Sequence, residues 1–284
     1  MAQGFSGSTI SSLVDNKACD GRLTLATATP VTTTDQTAKT TVYFTPYKGN
    51  RIALYDGSAW QMITFSEVSV AVPATTSTPF DIWGVLSGGA LTLETTSWTN
   101  DTTRATALVL QDGVQSKTGS VTRRYLGTGR TTGVSGQTED SVTNRLLWNF
   151  YNRTSRRMYI FEVTSHTYAT GSFRKWNNAT AAQVHFVIGL VEDSIIAVAY
   201  SRTAGDAVSN TTGITNVGLN SGTARMSGNE GDVTFVGVTA TPQIRANTFE
   251  SAFPALGYNF LTTIEFGMAG ATFHAAETIG LIIG

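Results

Sequence analysis

The chain has 284 residues, a formal net charge of −1, and only 14% charged residues beside 41% hydrophobic ones. A near-neutral chain offers no bulk attraction to nucleic acid or anionic membranes, and its apolar fraction is sufficient for a core, which excludes a disordered polymer. Thr is the most abundant residue type; its β-branched side chain suits a pleated surface and can wet solvent-facing strands in place of charge.

Residues 1–20 are small and polar around one apolar pair, Leu13-Val14, and read as an anchoring arm that needs a docking partner to become ordered. The arm lacks the basic and apolar regions of a secretory signal. From Arg22, LTLATATPVTTTDQTAKTTVYFTPY alternates as two strands broken at Pro30. The stretch TTVYFTPYKGNRIALYDGSAWQMITF (40–65) reads as a three-stranded meander, with turns at Lys48-Gly49-Asn50 and Asp56-Gly57. Val42 and Phe44 share one face, Tyr43, Thr45 and Tyr47 the other; Ile52, Leu54, Trp60 and Met62 continue the alternation. Apolar residues on both faces require a second layer. That layer comes from this chain or from a sister chain; the expectation is the second, with Phe44, Tyr47, Leu54 and Trp60 in contacts between copies and the apolar strands of 40–86 as the interchain core.

Short β-segments follow at 68–72, 80–86, 90–95 and 105–115, separated by Gly, Pro and Asn-Asp turns. Gly127–Gly136 has GxGxxxG spacing without the lysine of a phosphate loop and reads as a loop with no cofactor. Thr138 resembles an N-cap before Glu139 and Asp140, and Val142, Leu146 and Phe150 recur at i, i+4, i+8. This pattern predicts one short helix over about 139–151. Around it lie seven arginines interleaved with aromatics, Arg123, Arg124, Arg130, Arg145, Arg153, Arg156 and Arg157. They fit three uses: an ion-paired scaffold, a subunit or virion contact (Arg123, Arg124, Arg156, Arg157), or nucleic-acid stacking, which the neutral charge disfavours.

A strand at 156–165 precedes a run of short strands and polar loops to the C-terminus, the order of a jelly-roll-like β-sandwich over 166–284. The longest apolar run, Val184–Ser201, falls short of the ~18 uninterrupted apolar residues of a membrane span. Glu192 and Asp193 divide it into two buried strands around an acidic turn. The expected organisation is all-β with one short helix: arm 1–20, a β-rich region 21–165 and the sandwich.

Chemistry has few candidates. One cysteine and three dispersed histidines give no metal spacing. Asp81 with Glu94, Glu192 with Asp193, and Glu230 with Asp232 are the carboxylate pairs that glycan hydrolysis would use. Trp176, beside Asn177, is the tryptophan placed to be exposed and stack on a host sugar. No catalytic residue, cofactor or metal is assigned.

LTLATATPVTTTDQTAKTTVYFTPYKGNRIALYDGSAWQ and RRYLGTGRTTGVSGQTEDSVTNRLLWNFYNR, covering about 22–60 and 123–153, resemble segments of bacteriophage and prophage virion structural proteins, the head-fibre, decoration and tail-fibre-like families. The resemblance implies a non-enzymatic homotrimer on the surface of a phage particle, made in the host bacterial cytoplasm without a signal peptide. Its partners would be itself, other virion proteins of capsid or tail, and a host surface glycan, with no nucleic acid and no membrane insertion. A receptor-binding adhesin and a polysaccharide depolymerase are the rival expectations.

Overall fold

The computed structural model describes residues 14–204, 211–226, 231–235, 243–268 and 271–284. The first half of the chain forms β1 (Gly21–Thr24), β2 (Gln36–Lys39), β3 (Thr41–Pro46), β4 (Arg51–Tyr55), β5 (Trp60–Thr64), β6 (Val68–Ala71), β7 (Pro79–Ser87), β8 (Ala90–Ser97), β9 (Leu108–Gln111), β10 (Val114–Lys117), β11 (Ser120–Arg130), β12 (Thr138–Asp140), β13 (Asn144–Arg145) and β14 (Leu147–Asn149). β3 lies between β1 and β6, β4 and β5 form a hairpin, and β7 to β11 with β14 make a six-stranded sheet.

The expected meander is therefore split, because β3 does not pair with β4. Residues 18–20 come between them: Asp20 O accepts the Tyr47 and Lys48 N–H groups at 3.2 and 2.9 Å, and Ala18 O accepts the Ala53 N–H at 3.0 Å. The 15–20 part of the arm is thus docked on its own chain, whereas Leu13 lies outside the described residues. At the Asp56-Gly57 turn, Gly57 takes φ 105° and Asp56 Oδ1 accepts the Ser58 and Ala59 N–H groups. Leu23, Val42, Phe44, Ile52, Leu54, Phe80, Leu126 and Leu147 belong to one core. The two apolar faces seen in the sequence are covered from within.

No helix forms at 139–151. Thr138 pairs with Lys39 and its hydroxyl donates to Arg130 O at 2.7 Å, a bond that replaces the expected cap. Leu147, Trp148 and Asn149 pair with Gly129, Thr128 and Gly127. The glycines decide this outcome: a Cβ at Gly127 would lie 2.3 Å from Trp148 O, and one at Gly129 2.4 Å from the Phe80 ring. Gly127–Arg130, expected in a loop, is instead strand, and tertiary pairing overrides the helical spacing. Helical geometry among the described residues is confined to two 3₁₀ turns, Trp176–Asn178 and Thr180–Ala182.

The second half adds β15 (Ser155–Glu162), β16 (His166–Thr167), β17 (Arg174–Lys175), β18 (Gln183–Ile188), β19 (Ile195–Ala204), β20 (Thr211–Leu219), β21 (Gly231–Phe235), β22 (Gln243–Ala252), β23 (Gly257–Gly267) and β24 (Thr272–Ile283). β15 and β18 to β24 pair antiparallel as a folded-over hairpin: β15 with β24, β18 with β23, β19 with β22, β20 with β21. The two sheets run β15-β24-β19-β22 and β18-β23-β20-β21, the second extended past β18 by β13, β12 and β2. This nesting is a jelly roll, and its first strand lies ahead of residue 166, where the sandwich was expected to begin. The two strands around Glu192 and Asp193 are present but belong to opposite sheets. Met158, Ala197, Ala199 and Ile282 of one sheet meet Val184, Phe186, Val217 and Leu261 of the other, and Trp83, Tyr125 and Trp148 from the first half join the same core.

Candidate interaction surface

The structure scatters the residues chosen from the sequence. Phe44 and Leu54 are buried in the chain's own core and cannot serve as an interchain seam. Val14 and Tyr47 are exposed, while Trp60 is half-buried and donates Nε1–H to Asp112 Oδ2 at 2.9 Å.

The arginines form a scaffold. Arg123 pairs with Glu94 at 2.7 Å, Arg130 with Asp101 at 2.9 Å, and Asp140 bridges Arg145 and Arg156 at 2.9 and 2.6 Å. Arg153 holds Glu192 and Asp193 of the acidic turn. Arg124 is buried and donates to Ala53 O, Asn16 O, Lys17 O and the Tyr151 hydroxyl at 2.7, 2.9, 3.1 and 3.2 Å. Buried Arg124 and Arg156 are therefore internal ties and not virion contacts; Arg157 alone among the four contact candidates is exposed.

Trp176 also departs from expectation: it is 0% exposed, packed edge-on to His166 and Phe273. Its apolar ring fills a small core with Ala182, Ala271 and Ala276, so no indole face is free to meet a sugar. Asn177 is half-buried at φ 49°, and its N–H donates to Glu265 Oε1.

Groups that could do chemistry are engaged elsewhere. Asp81 accepts Arg104 Nε at 2.9 Å and Thr128 Oγ1 at 2.8 Å, and burial keeps its carboxyl above the ordinary carboxylate range despite the guanidinium. Its sequence partner Glu94 is committed to Arg123. Glu230 lies outside the described residues. Buried Glu265 receives His166 Nε2 at 2.6 Å and Arg174 Nε at 2.7 Å. His185 Nδ1 meets the Tyr258 hydroxyl at 2.6 Å, and burial, helped by Arg130, lowers the imidazole to about 4. A neutral ring with Nδ1 unprotonated accepts a hydrogen bond from the Tyr258 O–H, which keeps its proton. Burial pushes the Cys19 thiol to about 12, which keeps it unreactive. Among the described residues no cluster of His, Cys, Asp and Glu could hold a metal ion, and no helix is long and apolar enough to cross a membrane.

One surface stands apart. In β15-β24-β19-β22, alternate residues point into the sandwich and leave the others outside. Register aligns Arg157, Leu281, Ile196 and Ser251 in one outward row, and Tyr159, Ile279, Val198 and Phe249 in the next. A third row holds Phe161, Glu277, Tyr200 and Asn247. Phe161 is 49% exposed and Phe249 60%. Phe161, Val163, Tyr200, Glu277 and Ile279 line a shallow hollow of about 380 Å³. The apolar character of these strands was visible in the sequence, but assigning the open face required knowing which sheet each strand joins.

No established protein family matches the sequence, and no curated protein is similar to it. Among solved structures, BuGH86 in complex with neoagarooctaose aligns with 88% of this chain and 34% of its own, at 9% identity and a TM-score of 0.25. Dimeric latent PorU from Porphyromonas gingivalis aligns with 71% and 21% (9% identity, TM-score 0.27). The insecticidal delta-endotoxin Cry8Ea1 from Bacillus thuringiensis aligns with 87% and 49% (7% identity, TM-score 0.28). This chain spans about a third of the first of these, about a fifth of the second and about half of the toxin. TM-scores this low assign neither a shared fold nor a function.

Proposed function

We propose that the chain is a non-enzymatic structural protein on the surface of a tailed-phage particle, a head fibre or decoration or a tail-fibre component, homo-oligomeric and attached through its N-terminal region. The observation that carries this reading is that the two segments resembling virion proteins, distant in sequence, pack as one unit. Leu23, Phe44, Ile52 and Leu54 of the first share a core with Leu126 and Leu147 of the second. Asn149 ties them reciprocally, accepting the Leu23 N–H at 2.7 Å and donating to Leu23 O at 3.2 Å. A resemblance confined to parts that fold together follows a module rather than scattered chance.

The polar chemistry supports the same reading, because acids placed for hydrolysis instead brace strands through arginine. The adhesin reading has lost its named platform with the burial of Trp176. An epitope inserted at the Gly88-Gly89 turn, where an added Cβ meets nothing within 4 Å, gives a direct test by electron microscopy of antibody-labelled particles. Label at the particle surface is expected. Purified infectious particles that lack the protein would overturn the proposal.

A further inference from the structure

The outward rows of β15-β24-β19-β22 raise the question of what covers them. From four strands about 4.8 Å apart and some seven residues at about 3.3 Å, the face measures roughly 20 by 25 Å. That is about 500 Å² per copy and about 1,000 Å² across a pair, the lower end for a specific interface. Per copy it is of the order of the largest patch, about 300–600 Å², found on single proteins, a size that is often functional.

Its charges are complementary. Arg157 stands in the first row and Glu277 in the third, about 14 Å apart by strand geometry and so beyond reach of one another within a copy. Arg157 lies over the Tyr159 ring at 4.5 Å, and Glu277 has no ion pair among the described residues. Between them run Tyr159, Ile279 and Val198. When a second copy of the face is reversed along the strands, each Arg157 comes opposite a Glu277 with the apolar row closed between them.

We propose that this face packs against the same face of another copy of the chain, with Tyr159, Ile279 and Phe249 as the apolar contact and Arg157 of one copy paired to Glu277 of the next. The inference deepens the homo-oligomeric part of the proposed function and relocates it from strands 40–86, which are closed. A face that meets its own kind needs self-complementarity, and among its described side chains one cation and one carboxylate flanking a greasy centre provide it. Reversal also sets register, because stacking the faces with strands in the same sense turns the strand order over and sets Arg157 opposite Ser251 and Glu277 opposite Tyr200, with no ion pair formed.

Light-scattering mass of the full chain at micromolar concentration tests it. The expected result is a multiple of 30.2 kDa that Ile279→Asp or Phe249→Ser reduces to one copy with unchanged circular dichroism. Arg157→Glu and Glu277→Arg should each weaken association about tenfold, and the double exchange should restore it. A wild-type monomer, an oligomer that survives the apolar variants, or an exchange without rescue would each overturn the proposal. A monomer in solution would leave surface labelling of particles intact, so failure here is distinguishable from failure of the virion reading.

Discussion

The two halves of the molecule handle apolar strands in opposite ways. Around β3, β4 and β7 both faces are sealed by the chain itself; Val42, Ile52, Ala53, Leu54, Phe80 and Ile82 are all 0% exposed. In the jelly roll, β15, β24, β19 and β22 seal one face and leave Phe161, Ile196, Phe249 and Leu281 in solvent. Two-faced hydrophobic strands thus specify that a cover exists, not whose chain supplies it. In the first half the cover is the 18–20 segment, β11 and β14, arriving from far away in sequence.

The sharpest way to break the comparison is to damage the sealed half. Arg124→Ala strands the Ala53, Asn16 and Lys17 carbonyls that the guanidinium now satisfies. Of these only the Ala53 bond is fully buried, where an unpaired acceptor costs about 1–3 kcal/mol; with the cavity left by the 1% exposed Arg124 side chain, a loss of about 3–5 kcal/mol is expected in urea unfolding. Phe44→Ala in the same core should cost about 3–4 kcal/mol. Neither should change the oligomer's mass as long as the variant remains folded; dissociation of a folded Phe44→Ala variant would return these strands to the interchain role they had in the sequence.

A smaller effect is expected at the charged cluster within the roll. Glu265→Gln keeps the shape but removes the anion that Arg174 and His166 share. Arg174 is 28% exposed and can turn to water, so losing its ionised partner costs about 1.5–3 kcal/mol, measurable as a lowered denaturant midpoint. Trp176→Ala nearby would destabilise through its cavity, so loss of any glycan signal in that variant would report unfolding and not a lost contact.

The sequence disclosed the β-class, the hairpin at Asp56-Gly57 and the jelly-roll order, because alternation and turn residues are local. It misplaced the helix because Val142, Leu146 and Phe150 satisfy helical spacing while their fate is set by Gly127 and Gly129, which admit β14 against β11. It misplaced Trp176 because flanking Lys175 and Asn177 suggest solvent, although the ring turns inward between Phe273 and His166. The surface proposed for self-association was legible only as composition: Ile196, Val198, Phe249 and Ile279 look like ordinary core residues until register puts them on one outward face.

His185 supplies a pH-dependent contrast of intermediate size. Its folded value of about 4 lies below the ordinary 6.5, so the folded state resists a proton that the unfolded chain accepts. Its contribution is complete above pH 6.5 and declines as pH falls toward 4, after which both states are protonated. The loss over that window is on the order of 2 kcal/mol after allowing for partial exposure. Thermal melts at pH 7 and pH 4.5 should show the decline, and His185→Gln should flatten the difference. An equally steep decline in that variant would assign the acid sensitivity elsewhere.

The smallest expected effect is the most discriminating. Phe249 is 60% exposed, so Phe249→Ser removes little buried surface from one copy and should shift the stability of the isolated chain by no more than about 0.5 kcal/mol. If copies meet through this face, the same change removes a contact that exists only in the assembly. Wild-type melting temperature should then rise with protein concentration, while that of Phe249→Ser stays flat and converges on the wild-type value at high dilution. A residue whose removal leaves the subunit unharmed yet abolishes the concentration dependence can act only between copies. A dilution-independent wild type would place Phe249 with ordinary exposed side chains, and the roll would then be closed in function as the first half is in structure.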